Sequence, residues 1–246
     1  MPKARAKRLS KVTAIQMADE MLTHVQREVY WGLENEVAME GANEVIQNSF
    51  KGVTFYGANT VNVMSSALAI ELSLVLAKLY EIPRPKHGQS AASKHNKSDV
   101  ASIPLLLRLL RQKQCRDHYV KQSLDWKFGL GKPMNGRPGA VSESLDRLLA
   151  RYSSARKNRR YQDAMRRIRE FRNNRVAHAI MVDPRQPIYN DLHILMDLSR
   201  DTLQDLRLAM KGEGVDLLEK EGIRKAEATH FWEAALPAVV LASDPR

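Results

Sequence analysis

The chain has 246 residues, 43% of them hydrophobic and 27% charged, an ordinary globular composition with ample length to bury a core. A net charge of +11 favours an anionic partner, either nucleic acid or an acidic surface. The single cysteine, Cys115, excludes an intramolecular disulfide, and with no apolar signal region at the N-terminus the expected compartment is the reducing cytoplasm.

Residues 1–14 read as a basic tail carrying Lys3, Arg5, Lys7, Arg8 and Lys11. Residues 15–246 read as one all-helical domain. From about Thr13 to Gln47, Ile15, Met17, Met21, Leu22, Val25, Val29, Leu33 and Val37 recur at three- and four-residue spacings, the period of an amphipathic helix. Gly32 and Gly41 are positions where that helix is expected to bend or to be interrupted. A second helix is expected from Ala58 to Glu81. It is apolar nearly all round, with Val61, Val63, Met64, Leu68, Ile70, Leu72, Leu74, Val75, Leu76 and Leu79. The uncharged run from Gly52 to Ile70 contains Asn59, Asn62, Ser65 and Ser66, so a buried core helix is expected there rather than a membrane span. Pro83 and Pro85 end it.

Ile82 to Lys97 reads as a polar loop, with His87 and His95 as loop histidines. Ser98-Asp99 can cap a third helix from Val100 to about Gln114, with Pro104 near its first turn. The segment from Cys115 to Val141 is turn-rich and carries Gly129, Gly131, Pro133, Asn135, Gly136, Pro138 and Gly139. Gly129-Leu130-Gly131-Lys132 lacks the spacing of a phosphate loop, and no strand precedes it. Ser142 can cap a fourth helix, whose stripe of Leu145, Leu148, Leu149, Tyr152, Tyr161, Met165, Ile168 and Phe171 is long enough to break near Ser153-Ser154 or Asn158. A fifth helix spans Asp191 to Met210, with Gly212 as its C-terminal stop. A weaker helix follows from Val215 to Leu236 and ends at Pro237. The fold class is therefore all-α, a bundle of five to six helices.

The fourth helix carries the chemistry. Between Arg151 and Arg175 stand ten basic residues, among them Arg159, Arg160, Arg166, Arg167 and Arg169, opposed only by Asp163 and Glu170. That excess attracts a polyanion and predicts salt-sensitive binding. Its end reads Glu170-Phe171-Arg172-Asn173-Asn174-Arg175-Val176-Ala177-His178. Arginine clamps phosphate oxygens through a planar fork, and histidine exchanges protons near neutral pH, so these residue types suit chemistry on a phosphodiester. On one regular helix, however, Arg172 and His178 lie about 120° apart and do not share a face. Glu170, Asn174 and His178 form a stripe instead. Arginine and histidine converge only if the helix loosens near its end or a second copy supplies the other half.

The stretch Arg172-Asn173-Asn174-Arg175-Val176-Ala177-His178 resembles the signature of the HEPN superfamily, and most of all its abortive-infection, AbiU-like branch. The likeness extends to Val182-Asp183-Pro184 after the histidine and to a helix opening at Tyr189-Asn190-Asp191-Leu192, over a motif core of 142–210. The resemblance implies a HEPN-like fold, a homodimer with a composite cleft, and metal-independent RNA cleavage by a toxin or antiviral-defence effector. It implies no cofactor and no metal, and an antitoxin or other regulatory protein as partner. It makes His178 the general base or acid and Arg172 the stabiliser of the phosphorane. It gives Asn173 the task of orienting arginine or phosphate, and supporting places to Glu170, Asn174 and Arg175. Ile180 stands where a toxin subgroup has a modifiable tyrosine, so that mode of regulation is not expected. The other reading is a catalytically silent HEPN-like module that holds RNA or protein. A basic DNA-binding regulator fits less well, because the segment between the third and fourth helices is too long for a helix-turn-helix connection. His24, His118, His193 and His230 are expected to be structural. No carboxylate, histidine or cysteine cluster has metal-ligand spacing in the sequence.

Overall fold

The structure, a computed structural model, describes residues 10–50, 58–82, 101–128, 132–133, 137–176, 188–214 and 217–241. It is an all-α bundle with eight helices among the described residues: α1 (Lys11–Ser49), α2 (Ala58–Leu79), α3 (Ile103–Leu110), α4 (Lys113–Gln122), α5 (Arg137–Lys157), α6 (Arg159–Val176), α7 (Tyr189–Lys211) and α8 (Leu217–Leu241). A two-residue antiparallel ladder, β1 (Lys127–Phe128) with β2 (Lys132–Pro133), lies within the turn-rich segment, so a short strand does precede Gly129.

The count exceeds the expected five to six for local reasons. The expected third helix breaks at Arg111-Gln112, and a separate α4 buries Cys115 and Tyr119 where irregular chain was expected. The long fourth helix divides at Asn158, whose side-chain oxygen accepts the Arg160 backbone N–H at 2.9 Å and so caps α6. α1 begins at Lys11, inside the expected tail, because the Ser10 hydroxyl accepts the Thr13 N–H at 3.2 Å. α5 begins at Arg137, five residues ahead of its expected cap. Ser142 instead accepts from Arg116, at 2.8 Å to the hydroxyl. α8 stays helical past Pro237 to Leu241. The loop 83–97 and the expected Ser98-Asp99 cap lie outside the described residues.

α1 is the spine. At about 1.5 Å per residue it runs about 58 Å, and it packs against α2, α3, α4, α7 and α8. Its glycines do not interrupt it. A Cβ on Gly32 would lie 2.8 Å from the Met196 sulfur and 3.3 Å from Val75, so glycine lets α2 and α7 approach closely. Gly41 does the same for α8, whose Thr229 backbone nitrogen would stand 3.1 Å away. The main core joins Val25 and Val29 of α1 to Leu72 and Leu76 of α2, Leu106 of α3, Leu145 and Leu148 of α5, Ile168 of α6 and Leu195 and Leu206 of α7. A smaller cluster of Ala42, Val45, Val61, Trp232 and Leu236 seals the far end of α1.

The second helix departs from expectation. Its C-terminal half is core, from Leu72 to Tyr80. Its N-terminal half contributes Val61 to the small cluster but leaves Val63 67% and Met64 42% exposed. α2 is long and apolar enough to cross a membrane by composition, and only a third of its apolar stretch is buried (33%). Continuous apolarity therefore does not mark burial here, because the described helices cover only the inner side of its first three turns.

Candidate functional site

α6 owes its orientation to Ala164, Met165, Ile168 and Phe171, which are buried at three- and four-residue spacings. Burying Phe171 contributes about 1.5–3 kcal/mol and places Arg172, Asn173 and Asn174 on the outer surface. Asn173 and Asn174 are exposed and Arg172 is half-buried. The Arg172 guanidinium donates through Nε and Nη2 to Asn173 Oδ1, at 3.3 and 3.2 Å. Its Nη1 lies 3.3 Å from the Glu81 carboxylate at the end of α2. Arg169 donates to the Tyr80 carbonyl at 3.1 Å. Two arginines of α6 thus sit at the C-terminal end of α2, where unsatisfied carbonyls favour cations.

α6 is helical through Val176, so the loosening that would bring Arg172 toward residue 178 has not begun there. His178 and the Arg175 side chain lie outside the described residues. Glu170, expected to serve His178, lies 3.4 Å from Arg166 in an exposed pair. The arginines expected to meet RNA divide into two groups. Arg159 (95% exposed), Arg160 and Arg166 present their charge to solvent, where their contacts to Asp163 and Asn190 are weak constraints. Arg167 instead forms a two-pronged bond with Asp191 of α7, 2.6 Å at each prong, and Asp191 is only 1% exposed. The Asp191 carboxylate also accepts the Ile188 N–H at 3.3 Å, which caps α7. Arg167 and Asp191 therefore fix the two helices that flank residues 177–187.

A second polar constellation was not apparent in the sequence. Glu36 and Glu40 of α1 face His193 of α7. The His193 Nδ1 lies 2.6 Å from Glu36 Oε1 and 3.5 Å from Glu40 Oε1. Arg200, two turns further along the same face of α7, reaches Glu36 Oε2 at 3.2 Å, Asp197 at 2.9 Å and Glu221 of α8 at 3.0 Å. The Arg200–Glu221 contact is out of line, so neither atom has a directed hydrogen bond. The hydrogen bond to Glu36 pushes the His193 imidazole above its ordinary range, with Glu40 and Asp197 acting in the same direction. Burial pushes the Glu221 carboxyl up. The Tyr189 ring meets the His193 ring edge-on with centroids 4.3 Å apart. His193, expected to be a structural histidine without a partner set, is instead part of a charged cluster. Glu36, Glu40 and His193 bring three ligand atoms within 4.8 Å of one another, a metal-ligand spacing that the sequence conceals. The one linear cue was charge at buried positions: Glu36 in the stripe of α1, and Arg200 seven residues after His193 in α7.

The chain matches no family model, no curated protein and no solved structure.

Proposed function

We propose that the protein is a HEPN-type endoribonuclease. The observation that carries the reading is the Arg172–Asn173 pair, a guanidinium steadied by a neighbouring amide on the outer edge of a basic helix, six residues before His178. In this reading Asn173 orients the arginine. Arg172 exchanges Glu81 for a phosphate oxygen and neutralises charge on the phosphorane. His178 takes the proton of the ribose 2′-hydroxyl or returns one to the leaving oxygen. The products are a 2′,3′-cyclic phosphate and a 5′-hydroxyl, and DNA resists because it lacks the nucleophile. Arg159, Arg160 and Arg166 supply the electrostatic track for RNA. A homodimer completes the cleft. The biological role proposed is that of a cytoplasmic toxin or defence effector, held in check by an antitoxin or regulatory protein.

One observation favours the second reading, a catalytically silent module that binds RNA or protein: the Arg172 guanidinium is already engaged by Glu81. Purified protein incubated with total RNA in EDTA, beside His178→Ala and Arg172→Ala, separates the two. Cleavage that leaves cyclic phosphates and falls at least about a hundredfold in either variant supports the enzyme. Salt-sensitive binding with intact RNA supports the module. Equal cleavage by all three proteins overturns the site.

A further inference from the structure

The constellation between α1 and α7 has the donor set of a metal site. Glu36 and Glu40, four residues apart, project from one face of α1 toward His193. Each carboxylate commits one oxygen to a cation and leaves the other free for the centre. Glu36 gives Oε2 to Arg200 at 3.2 Å, and Glu40 places Oε2 3.7 Å from Lys225. The two remaining oxygens, both Oε1, converge on His193 Nδ1 at 2.6 and 3.5 Å. Carboxylate ligands to a metal are themselves commonly held by such outer contacts.

Distances fit an ion of modest size. With metal–ligand bonds of about 2.0 Å and tetrahedral angles, neighbouring ligand atoms stand about 3.3 Å apart. The Glu40 contact is already near that value, and the Glu36 contact needs to open by about 0.7 Å. Glu36 forms a buried floor at 2% exposure, whereas the side chains of His193 and Glu40 are each 27% exposed, which leaves a way in. Charge argues in the same direction. Glu36, Glu40, Glu44, Asp197 and Glu221 gather around Arg200 and Lys225, so carboxylates outnumber the fixed cations.

We propose that Glu36, Glu40 and His193 bind one divalent transition-metal ion of the zinc class, with water in the remaining position. An imidazole donor selects zinc, cobalt, nickel or copper over magnesium and calcium. The ion ties α7 to α1 directly after the segment that carries His178. It is a clamp on the fold and takes no part in the proposed cleavage, so the two proposals stand or fall separately.

The test uses the full chain, stripped with chelator and dialysed. Zinc binding is followed by calorimetry, and cobalt binding by its visible ligand-field bands. Glu40→Gln and His193→Gln are compared with wild type, and circular dichroism confirms that each variant is folded. The expected result is one saturable zinc per chain, unaffected by excess magnesium. Affinity is expected to fall at least about tenfold in Glu40→Gln and further in His193→Gln, with the cobalt spectrum lost in both. Should His193→Gln fail to fold, the Glu40→Gln titration decides alone, since that side chain lies at the open edge. Absence of saturable zinc binding in wild type, or undiminished binding in folded variants, overturns the proposal.

Discussion

Removing the Asp191 carboxylate should uncouple the two helices that flank the motif segment. Asp191→Ala deletes the acceptor that caps α7 through the Ile188 N–H and both oxygens that hold Arg167. Loss of a cap costs about 1 kcal/mol. Breaking a fully buried ion pair costs about 3–5 kcal/mol, but Arg167 keeps 27% of its side chain in solvent and can rehydrate. That relief brings the pair's share down to about 1–2 kcal/mol. The sum, about 2–3 kcal/mol, should lower the melting midpoint by about 5–10 °C for a chain of this size. Asp191→Asn keeps an acceptor for the cap and should lose about half as much. Arg167→Ala leaves a buried carboxylate with no cation and should cost more than Asp191→Ala, about 3 kcal/mol or above. Because the two residues share one interaction, the double variant should be less destabilised than the sum of the singles by about 1 kcal/mol or more. Thermal unfolding followed by circular dichroism measures all four. A shift under about 1 °C in Asp191→Ala, or additivity within about 0.5 kcal/mol, would refute the assignment of Arg167 to the fold.

Three further outcomes are expected. Gly212 closes α7 at φ 69°, and a Cβ there would overlap the Trp126 ring. Gly212→Ala should therefore cost about 2 kcal/mol or more through left-handed strain and displaced packing, and a melting midpoint equal to wild type would contradict the geometry. The Arg116 hydrogen bond, at 2.7 Å, holds the Asp146 carboxyl below its ordinary range. A depressed carboxyl contributes stability above its unfolded value of about 3.9, and that contribution is lost as pH falls through the lower folded value. Arg116→Ala should move the Asp146 titration upward in a carboxyl NMR experiment, and an unmoved titration would show that the bond is absent in solution. For RNA binding, Arg159→Ala should reduce the slope of log affinity against log salt by about 0.7 without changing the melting midpoint. Arg167→Ala should do the reverse, and equal salt slopes for wild type and Arg159→Ala would remove Arg159 from the track.

Most of the helices, though not α4 or the start of α5, were legible in the chain alone. The 3.6-residue period of apolar side chains marks α1, α6 and α7, and short-range chemistry marks their ends. Asn158 caps α6, and Gly212 takes the left-handed conformation that closes α7. These signals are local because a helix satisfies its backbone within four residues. Glycine positions were harder to read, since Gly32 and Gly41 resemble weak points in one dimension and become close-approach points only when α7 and α8 lie against them. Which charges belong to the surface and which to the fold depended on packing between distant segments. Arg166 and Arg167 are neighbours in a basic run, yet one faces solvent and the other grips a buried aspartate 24 residues away. Glu36 meets His193 across 157 residues, a pairing that no periodicity encodes. Burial of α2 was likewise undecidable from its apolarity, since exposure depends on whether another helix arrives to cover each face. Helical period is a property of neighbours in the chain, whereas charge partnership and burial belong to segments brought together in space.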